Sequence, residues 1–372
     1  MNVITTVPKH TIDRSQKLRW ASKVLRAYEK KHDGQAADLL VLPQEYIGGI
    51  VPTPDAPHVE LAWMQEKFGR LAERHGVHIG VGGAIVDDSS RAHEDYLYFD
   101  DEGQLVGSHR KFALPRYDHI QAGGSGQLYP ETNFQRRSTV IELPKLGLRV
   151  GTVFCWEVFS LATWVAYSYQ GVNLIVHPIK FAPQGWLKVS KAKDGPLTVI
   201  GFSQDKKNNL WVERLHAASK FEVYCPIIVA CNTWALGDKY KALCGVIDEV
   251  HDLTELRELG SSEDAELAMH IDLKPYQLHG FENQRHPKQY SDATDGTLDG
   301  FAACKRYTMA SKMRRIEAQL AGGGAAVDIA LYHAAQWRAK KRTATSYARL
   351  LEDIAEVENQ GRLFDMCDEE ES

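Results

Sequence analysis

The sequence predicts a layered α/β fold, and three observations support this. Short apolar runs recur along the chain, separated by stretches whose apolar residues repeat at helical spacing. In the first part of the chain these stretches follow the order strand, helix, strand, helix, strand. The chain has 372 residues, of which 44% are hydrophobic and 25% charged, as is typical of a globular protein with one large domain or two average ones.

The first elements are assigned from periodicity. NVITTV at residues 2–7 predicts a strand, ADLLVLP a second strand that ends at Pro43, and VHIGVGGAIV a third. YLYFDDEGQLVGSHRKF predicts a hairpin, because two alternating apolar segments flank the turn residues 100–103. Two helices between the three strands are predicted from helical spacing at Leu18, Ala21, Leu25 and Tyr28, and at Leu61, Met64, Phe68 and Leu71.

The later elements continue the alternation. LGLRVGTVF predicts a strand that runs into Cys155, and VFSLATWVAYSYQG predicts the helix behind it. The segment between His177 and Leu210 is polar and contains Pro and Gly, which predicts a loop on the substrate side. Four further strands are predicted at VNLIVHP, VYCPIIVAC, CGVID and ELAMHIDL.

The character of the chain changes after about Lys274. We predict one domain over residues 1–275 and a C-terminal extension over residues 276–372 that is first polar and then helical. An apolar stripe between Tyr347 and Val357 needs a surface to cover it. The extension is therefore predicted to pack on the core or at an oligomer interface.

Composition excludes several classes of function. The net charge is -5 and the pI about 6.3, which predicts neither a nucleic acid nor an anionic membrane as partner. Residues 1–16 lack the apolar core of a secretory signal, and no apolar run approaches the roughly 18 residues of a membrane helix. The six cysteines show no CxxC pairing, which argues against a disulfide framework and a zinc site. We predict a cytoplasmic protein.

Three polar residues stand where apolar strands end: Glu45, Lys111 and Cys155. Taken singly, each has an ordinary structural explanation, as a loop acid, a solvated lysine and a core thiol. Together they suit nucleophilic catalysis. A carboxylate takes the proton of a thiol, and a lysine cation favours both the thiolate and the oxyanion that forms after attack.

The motifs around these residues resemble those of the nitrilase, or carbon-nitrogen hydrolase, superfamily, whose members carry a Glu-Lys-Cys triad in this chain order. The similar elements are LPQE, HRKFALP and FCWE, and the similarity extends over roughly residues 2–275. The resemblance implies an α-β-β-α sandwich and catalysis by Glu45, Lys111 and Cys155. It also implies no metal or organic cofactor, and a homodimer or larger homo-oligomer.

The chain departs from the family's pattern at several positions. Gln44 is inserted between the proline and the glutamate, and Val158 stands where nitrilases typically have Asn or His. Many members have a further acid between the lysine and the cysteine, for which Glu131 and Asp118 are equal candidates. The family's Gly-x-Ser element appears as Cys-Gly-Val at residues 244–246. The subfamily therefore stays open.

Four residues are predicted to bind the substrate. The backbone N–H of Trp156 suits an oxyanion hole, although its ring suits packing. Glu157 either accepts a hydrogen bond from a substrate N–H or pairs with a nearby cation. His177 ends a strand and either lines the pocket or has a structural role. Glu131 is the fourth.

These features predict hydrolysis of a small nitrile or amide to a carboxylic acid and ammonia. Cys155-Trp156-Glu157 slightly favours a nitrile. The alternatives are an amidase, an N-carbamoyl amidohydrolase, an N-acyltransferase that uses the same thioester, and a catalytically silent scaffold. A Cys-His protease is disfavoured, because no histidine lies in a recognisable partner motif.

Overall fold

The structure is a computed structural model of the chain. The described residues are 1–8, 13–47, 59–87, 89, 91–113, 131, 138–179, 182–183, 187–191, 197–202, 210–232, 240–251, 253–259 and 266–274. The predicted C-terminal extension and Asp118 lie outside these residues, so the role of the extension stays a prediction. Within the described residues, no helix has both the length and the apolar character needed to cross a membrane.

The first sheet has the strand order β16-β1-β2-β4-β5-β6, with β3 paired to β4. β1 pairs with β2 and β2 with β4 in parallel, whereas β4, β5 and β6 form an antiparallel meander. Its strands are β1 (Asn2–Val7), β2 (Leu39–Val41), β3 (Val59–Glu60), β4 (His78–Val86), β5 (Ala92–Phe99), β6 (Leu105–Arg110) and β16 (Leu267–Asp272).

The second sheet has the order β10-β14-β13-β9-β8-β7, with β15 paired to β14. β8 and β9, and β9 and β13, run in parallel. Its strands are β7 (Val140–Leu143), β8 (Leu148–Thr152), β9 (Leu174–Ile179), β10 (Ala182–Pro183), β13 (Ile227–Cys231), β14 (Tyr240–Asp248) and β15 (Leu253–Leu259).

The two sheets pack face to face because alternate residues of their strands are apolar on the inner side. One core cluster joins Val3, Leu39 and Tyr98 of the first sheet to Val150 and Ile175 of the second. Buried hydrogen bonds between strands of the two sheets cross this interface. Thr5 Oγ1 donates to the Val229 carbonyl at 2.5 Å, and the hydroxyls of Tyr98 and Thr152 lie 2.6 Å apart.

Helices cover the outer faces and complete the α-β-β-α sandwich. α1 (Arg14–Lys31) and α2 (Leu61–His75) lie on the first sheet, where a second core cluster joins them to the opposite residues of its strands. α3 (Leu161–Tyr169) and α4 (Leu210–Ala218) belong to the second sheet. The predicted fold class is confirmed.

The segment between His177 and Leu210 differs from its sequence interpretation as a loop. It contains β10 and an antiparallel hairpin of β11 (Leu187–Lys191) and β12 (Leu197–Phe202). β7 and β15 were not predicted either, and β5 begins at Ala92 rather than at Tyr96. β15 is exposed at Thr254, Glu255 and Arg257, so it lacks the apolar alternation that marks a strand in sequence.

Candidate active site

Cys155 lies at a sharp turn between a strand and a helix. β8 extends to Thr152, and the Val153 N–H still donates to Val176 of β9 at 3.0 Å. A short 3₁₀ helix then begins at Cys155 itself and ends at Phe159. Cys155 has a φ of 22° and is 3% exposed. A positive φ in a residue with a side chain costs on the order of 1–3 kcal/mol and is most often found at functional sites.

Glu45 lies on a second strained turn, at the end of β2. Leu42 accepts a hydrogen bond from the Tyr96 hydroxyl at 2.8 Å, and Ile47 forms a bridge to Gly83. Between these anchors Glu45 has a φ of 49° and is buried. The contacts on both sides hold the backbone of the turn in this conformation.

Lys17, a buried lysine of α1, lies close enough to Glu45 for the two charges to interact. Burial lowers the pKa of Lys17 to about 8, and the Glu45 carboxylate opposes this shift. The Lys17 ammonium also lies 5.7 Å from the centroid of the Tyr46 ring, and the Tyr46 hydroxyl donates to the Lys17 carbonyl at 2.6 Å. The glutamate turn is thus attached to α1 as well as to β4.

Gly82 of β4 allows the glutamate turn to approach closely. A Cβ at this position would lie 2.8 Å from both Gln44 Cα and the Pro43 carbonyl oxygen, and 3.0 Å from the Glu45 nitrogen. We expect Gly82→Ala to displace the turn. Activity should fall by about 100-fold, because small misplacements of a reacting group have effects of this order. The unfolding free energy should fall by about 1–3 kcal/mol.

Ammonia release and thermal unfolding of the variant would check this expectation. An unchanged rate in the Gly82→Ala enzyme at a lowered melting temperature would show that the turn does not position a catalytic group.

Lys111 follows β6 and is 1% exposed. Its N–H donates to the Glu94 carbonyl and its own carbonyl accepts from the Glu131 N–H, both at 2.9 Å. Its ammonium donates to Glu94 Oε2 at 2.9 Å, and Glu94 is fully buried. Sequence reasoning missed Glu94. The signal is a pair of charged residues in HEDYLYF, which lie inside β5 but before the start that the sequence predicts for this strand.

Glu157 joins the lysine segment to the cysteine segment. Its Oε1 accepts the Phe112 N–H at 2.8 Å, and its Oε2 accepts the Phe154 N–H at 2.9 Å. His109 Nε2 lies 3.1 Å from Oε2, and Glu157 and His109 are both fully buried. Because Phe112 follows Lys111 and Phe154 precedes Cys155, this carboxylate brings the ends of β6 and β8 together.

Tyr96 similarly connects the glutamate segment to the cysteine segment. Its hydroxyl bonds to Leu42, three residues before Glu45, while its ring packs edge-on against Phe154 with centroids 6.0 Å apart. Through Glu157 and Tyr96, the three segments that contain the predicted residues are joined at the interface between the two sheets.

The remaining predicted residues lie around this region. Trp156 is partly buried and packs against the core, and Glu131 is buried beside the Lys111 backbone. His177 lies behind the cysteine turn, where its Nδ1–H donates to the Val153 carbonyl at 2.6 Å. Burial lowers the pKa of His177 to about 3, so the ring is neutral at pH 7.

Comparisons with known proteins agree with this architecture. One similar solved structure is a mutant of the amidase from Nesterenkonia sp. AN1 with acrylamide added at its active-site cysteine. It is 15% identical to this chain, has a TM-score of 0.51, and the match covers 78% of this chain and 99% of that chain. Nit3 from Saccharomyces cerevisiae, a member of branch 10 of the nitrilase superfamily, is 15% identical with a TM-score of 0.51, over 76% of this chain and 93% of that chain. No curated protein matches by sequence.

The fold is therefore the α-β-β-α sandwich of the nitrilase superfamily. The sequence matches the carbon-nitrogen hydrolase family over residues 6–252. The chain belongs to this family, and the resemblance seen in its motifs is confirmed.

Proposed function

We propose that the protein is a thiol-dependent hydrolase of non-peptide carbon-nitrogen bonds, with Cys155 as nucleophile, Glu45 as general base and Lys111 as electrostatic stabiliser. One observation carries the proposal. Glu157 binds the backbone beside both Lys111 and Cys155, which come from different sheets, in a chain of the carbon-nitrogen hydrolase family. The substrate is a small amide or nitrile, and the products are a carboxylic acid and ammonia.

For an amide, the first step is acylation of the thiol. Glu45 accepts the Cys155 proton, and the sulfur attacks the carbonyl carbon to form a tetrahedral oxyanion. The Lys111 ammonium and the Trp156 N–H stabilise this negative charge. The oxyanion collapses, the carbon-nitrogen bond breaks, and Glu45 returns the proton to the departing ammonia. A thioester remains on Cys155.

Water completes the reaction. Glu45 takes a proton from water, which attacks the thioester, and the acid leaves as the Cys155 thiol is restored. A nitrile first forms a thioimidate on the same sulfur. Addition of water to the thioimidate and loss of ammonia then give the same thioester. We further propose that Glu131 lines the substrate side of this centre, whereas His177 has the structural role and supports the cysteine turn from behind.

The choice between nitrile and amide depends on two opposing features. Cys155-Trp156-Glu157 favours a nitrile, whereas the fold likeness to an amidase favours an amide. We place the nitrile slightly ahead. An acyltransferase would form the same thioester but pass it to an amine or another acceptor, so analysis of the acyl product separates transfer from hydrolysis.

Specificity constants for a matched nitrile and amide of one carbon skeleton would test this choice. We expect ammonia release from at least one of them, and a kcat/KM that is higher for the nitrile. A tenfold or greater preference for the amide, equal to about 1.4 kcal/mol of transition-state discrimination, would overturn the nitrile choice and leave the hydrolase proposal intact. If small nitriles, ω-amides and N-carbamoyl compounds all fail to release ammonia, both the nitrile choice and the hydrolase proposal are overturned.

A further inference from the structure

Two consecutive carboxylates of β5 pair with two consecutive basic residues at the end of β6. Asp95 accepts two hydrogen bonds from the Arg110 guanidinium, at 2.8 and 2.9 Å. Glu94 accepts one from the Lys111 ammonium at 2.9 Å. Successive residues of a strand point to opposite faces, so the two pairs lie on opposite sides of the sheet. The Arg110 side chain is 30% exposed, whereas Lys111 is 1% exposed and Glu94 fully buried.

The burial of Lys111 demands a counter-charge. An ammonium taken out of water tends to lose its proton unless an anion and hydrogen bonds compensate for the lost hydration. Glu94 provides both, and it is attached to Lys111 twice, because its backbone carbonyl also accepts the Lys111 N–H. Among the described residues, further titratable groups beside this segment include Glu131 on one side, and His109 and Glu157 on the cysteine side.

This pairing separates the tasks of two carboxylates. A carboxylate bound to an ammonium is stabilised in its charged form and is a weaker proton acceptor. A base that had to neutralise the lysine would therefore lose part of its ability to take the thiol proton. Glu94 gives Lys111 a counter-charge that is separate from the proposed base, so the neutralisation of the lysine does not fall on Glu45 alone.

We propose that Glu94 is a positioning residue that keeps Lys111 protonated and fixed toward the reacting carbon. The inference deepens the proposed function and rests on it for the roles of Lys111 and Cys155. The link between Glu94 and Lys111 also has a consequence that needs no substrate. Loss of the lysine cation disfavours the Cys155 thiolate, whereas loss of the Glu94 anion alone, with the cation retained, favours it.

The test uses the full chain and the variants Glu94→Gln, Lys111→Gln, the double variant and Asp95→Asn. Two properties are measured: kcat and KM for ammonia release, and the pH dependence of Cys155 alkylation by iodoacetamide, followed by peptide mass analysis. We expect Glu94→Gln to lower kcat by about 100-fold with little change in KM, as for loss of an electrostatic stabiliser. Its alkylation midpoint should move to higher pH, in the same direction as for Lys111→Gln.

The double variant decides whether Glu94 acts through Lys111. If it does, the change at residue 94 causes no further loss of activity once Lys111 is glutamine, so the double variant matches Lys111→Gln in kcat. Asp95→Asn is the matched control, since it removes a carboxylate from a similar pair one residue along the same strand. Its kcat should stay within about twofold of wild type, because the pair of Asp95 with Arg110 lies on the opposite face of the sheet from Lys111.

Three results would overturn the proposal: an unchanged kcat in Glu94→Gln, an alkylation midpoint of Glu94→Gln that moves to lower pH, or additive losses of kcat in the double variant. If Glu94→Gln does not fold, Glu94→Asp replaces it. This variant keeps the charge but draws the ammonium back by one methylene, so kcat should fall at least tenfold with an unchanged alkylation midpoint, and a wild-type kcat would refute the role. If the wild-type protein releases no ammonia, the proposed function is refuted. The alkylation data then still test whether Glu94 keeps Lys111 charged beside Cys155.

Discussion

Replacement of Cys155 by alanine is expected to lower ammonia release by several powers of ten, as is usual when a covalent nucleophile is removed. The fold should persist, since alanine is smaller than cysteine and the turn is held by the neighbouring bonds of Val153 and Glu157. Initial rates of ammonia release, together with circular dichroism and thermal unfolding, check both parts of the expectation.

Cys244→Ala is the matched control for this variant. Cys244 is also buried, and burial raises its pKa to about 12, so its thiol stays protonated and unreactive at neutral pH. Its replacement should leave the rate within about twofold of wild type, because it removes a group with no part in the chemistry. Residual activity of the Cys155→Ala enzyme above about a hundredth of wild type would point to a different nucleophile.

Replacement of Glu157 by alanine is expected to have the largest effect on stability. It leaves the N–H groups of Phe112 and Phe154 and the His109 ring without the acceptor that they share in the buried site. Removal of one partner from a buried charged network costs about 3–5 kcal/mol. Because the carboxylate also joins the lysine segment to the cysteine segment, ammonia release should be lost as well. Urea unfolding measures the first effect.

Two comparisons distinguish this network from a direct role in substrate binding. Glu157→Gln keeps one acceptor oxygen, so it should lose less stability than the alanine variant. Glu142→Ala removes an exposed carboxylate that lies 3.1 Å from Arg149, and it should change the unfolding free energy by less than about 0.5 kcal/mol. A raised KM with wild-type stability in Glu157→Ala would instead assign Glu157 to the substrate.

The sequence by itself predicted most of the sandwich. The strands around Leu39–Val41, His78–Val86 and Leu174–Ile179, and the helices α1 and α2, were read from apolar periodicity. This succeeds because the repeat of a strand or a helix is a local property, set by which side chains face the core. Sequence also indicated Glu45, Lys111 and Cys155 as candidates, since each follows an apolar strand in a family-like motif.

Only the tertiary structure decided how the predicted residues are held. Glu94 meets Lys111 through the antiparallel register of β5 and β6, and Glu157 meets Phe112 only because the two sheets stack. These contacts join residues 17 and 45 positions apart. No local pattern encodes such a pairing, because it depends on strand register and on the packing of one sheet against the other. The pairing of Glu94 with Lys111 therefore follows from the fold and could not be predicted from the sequence.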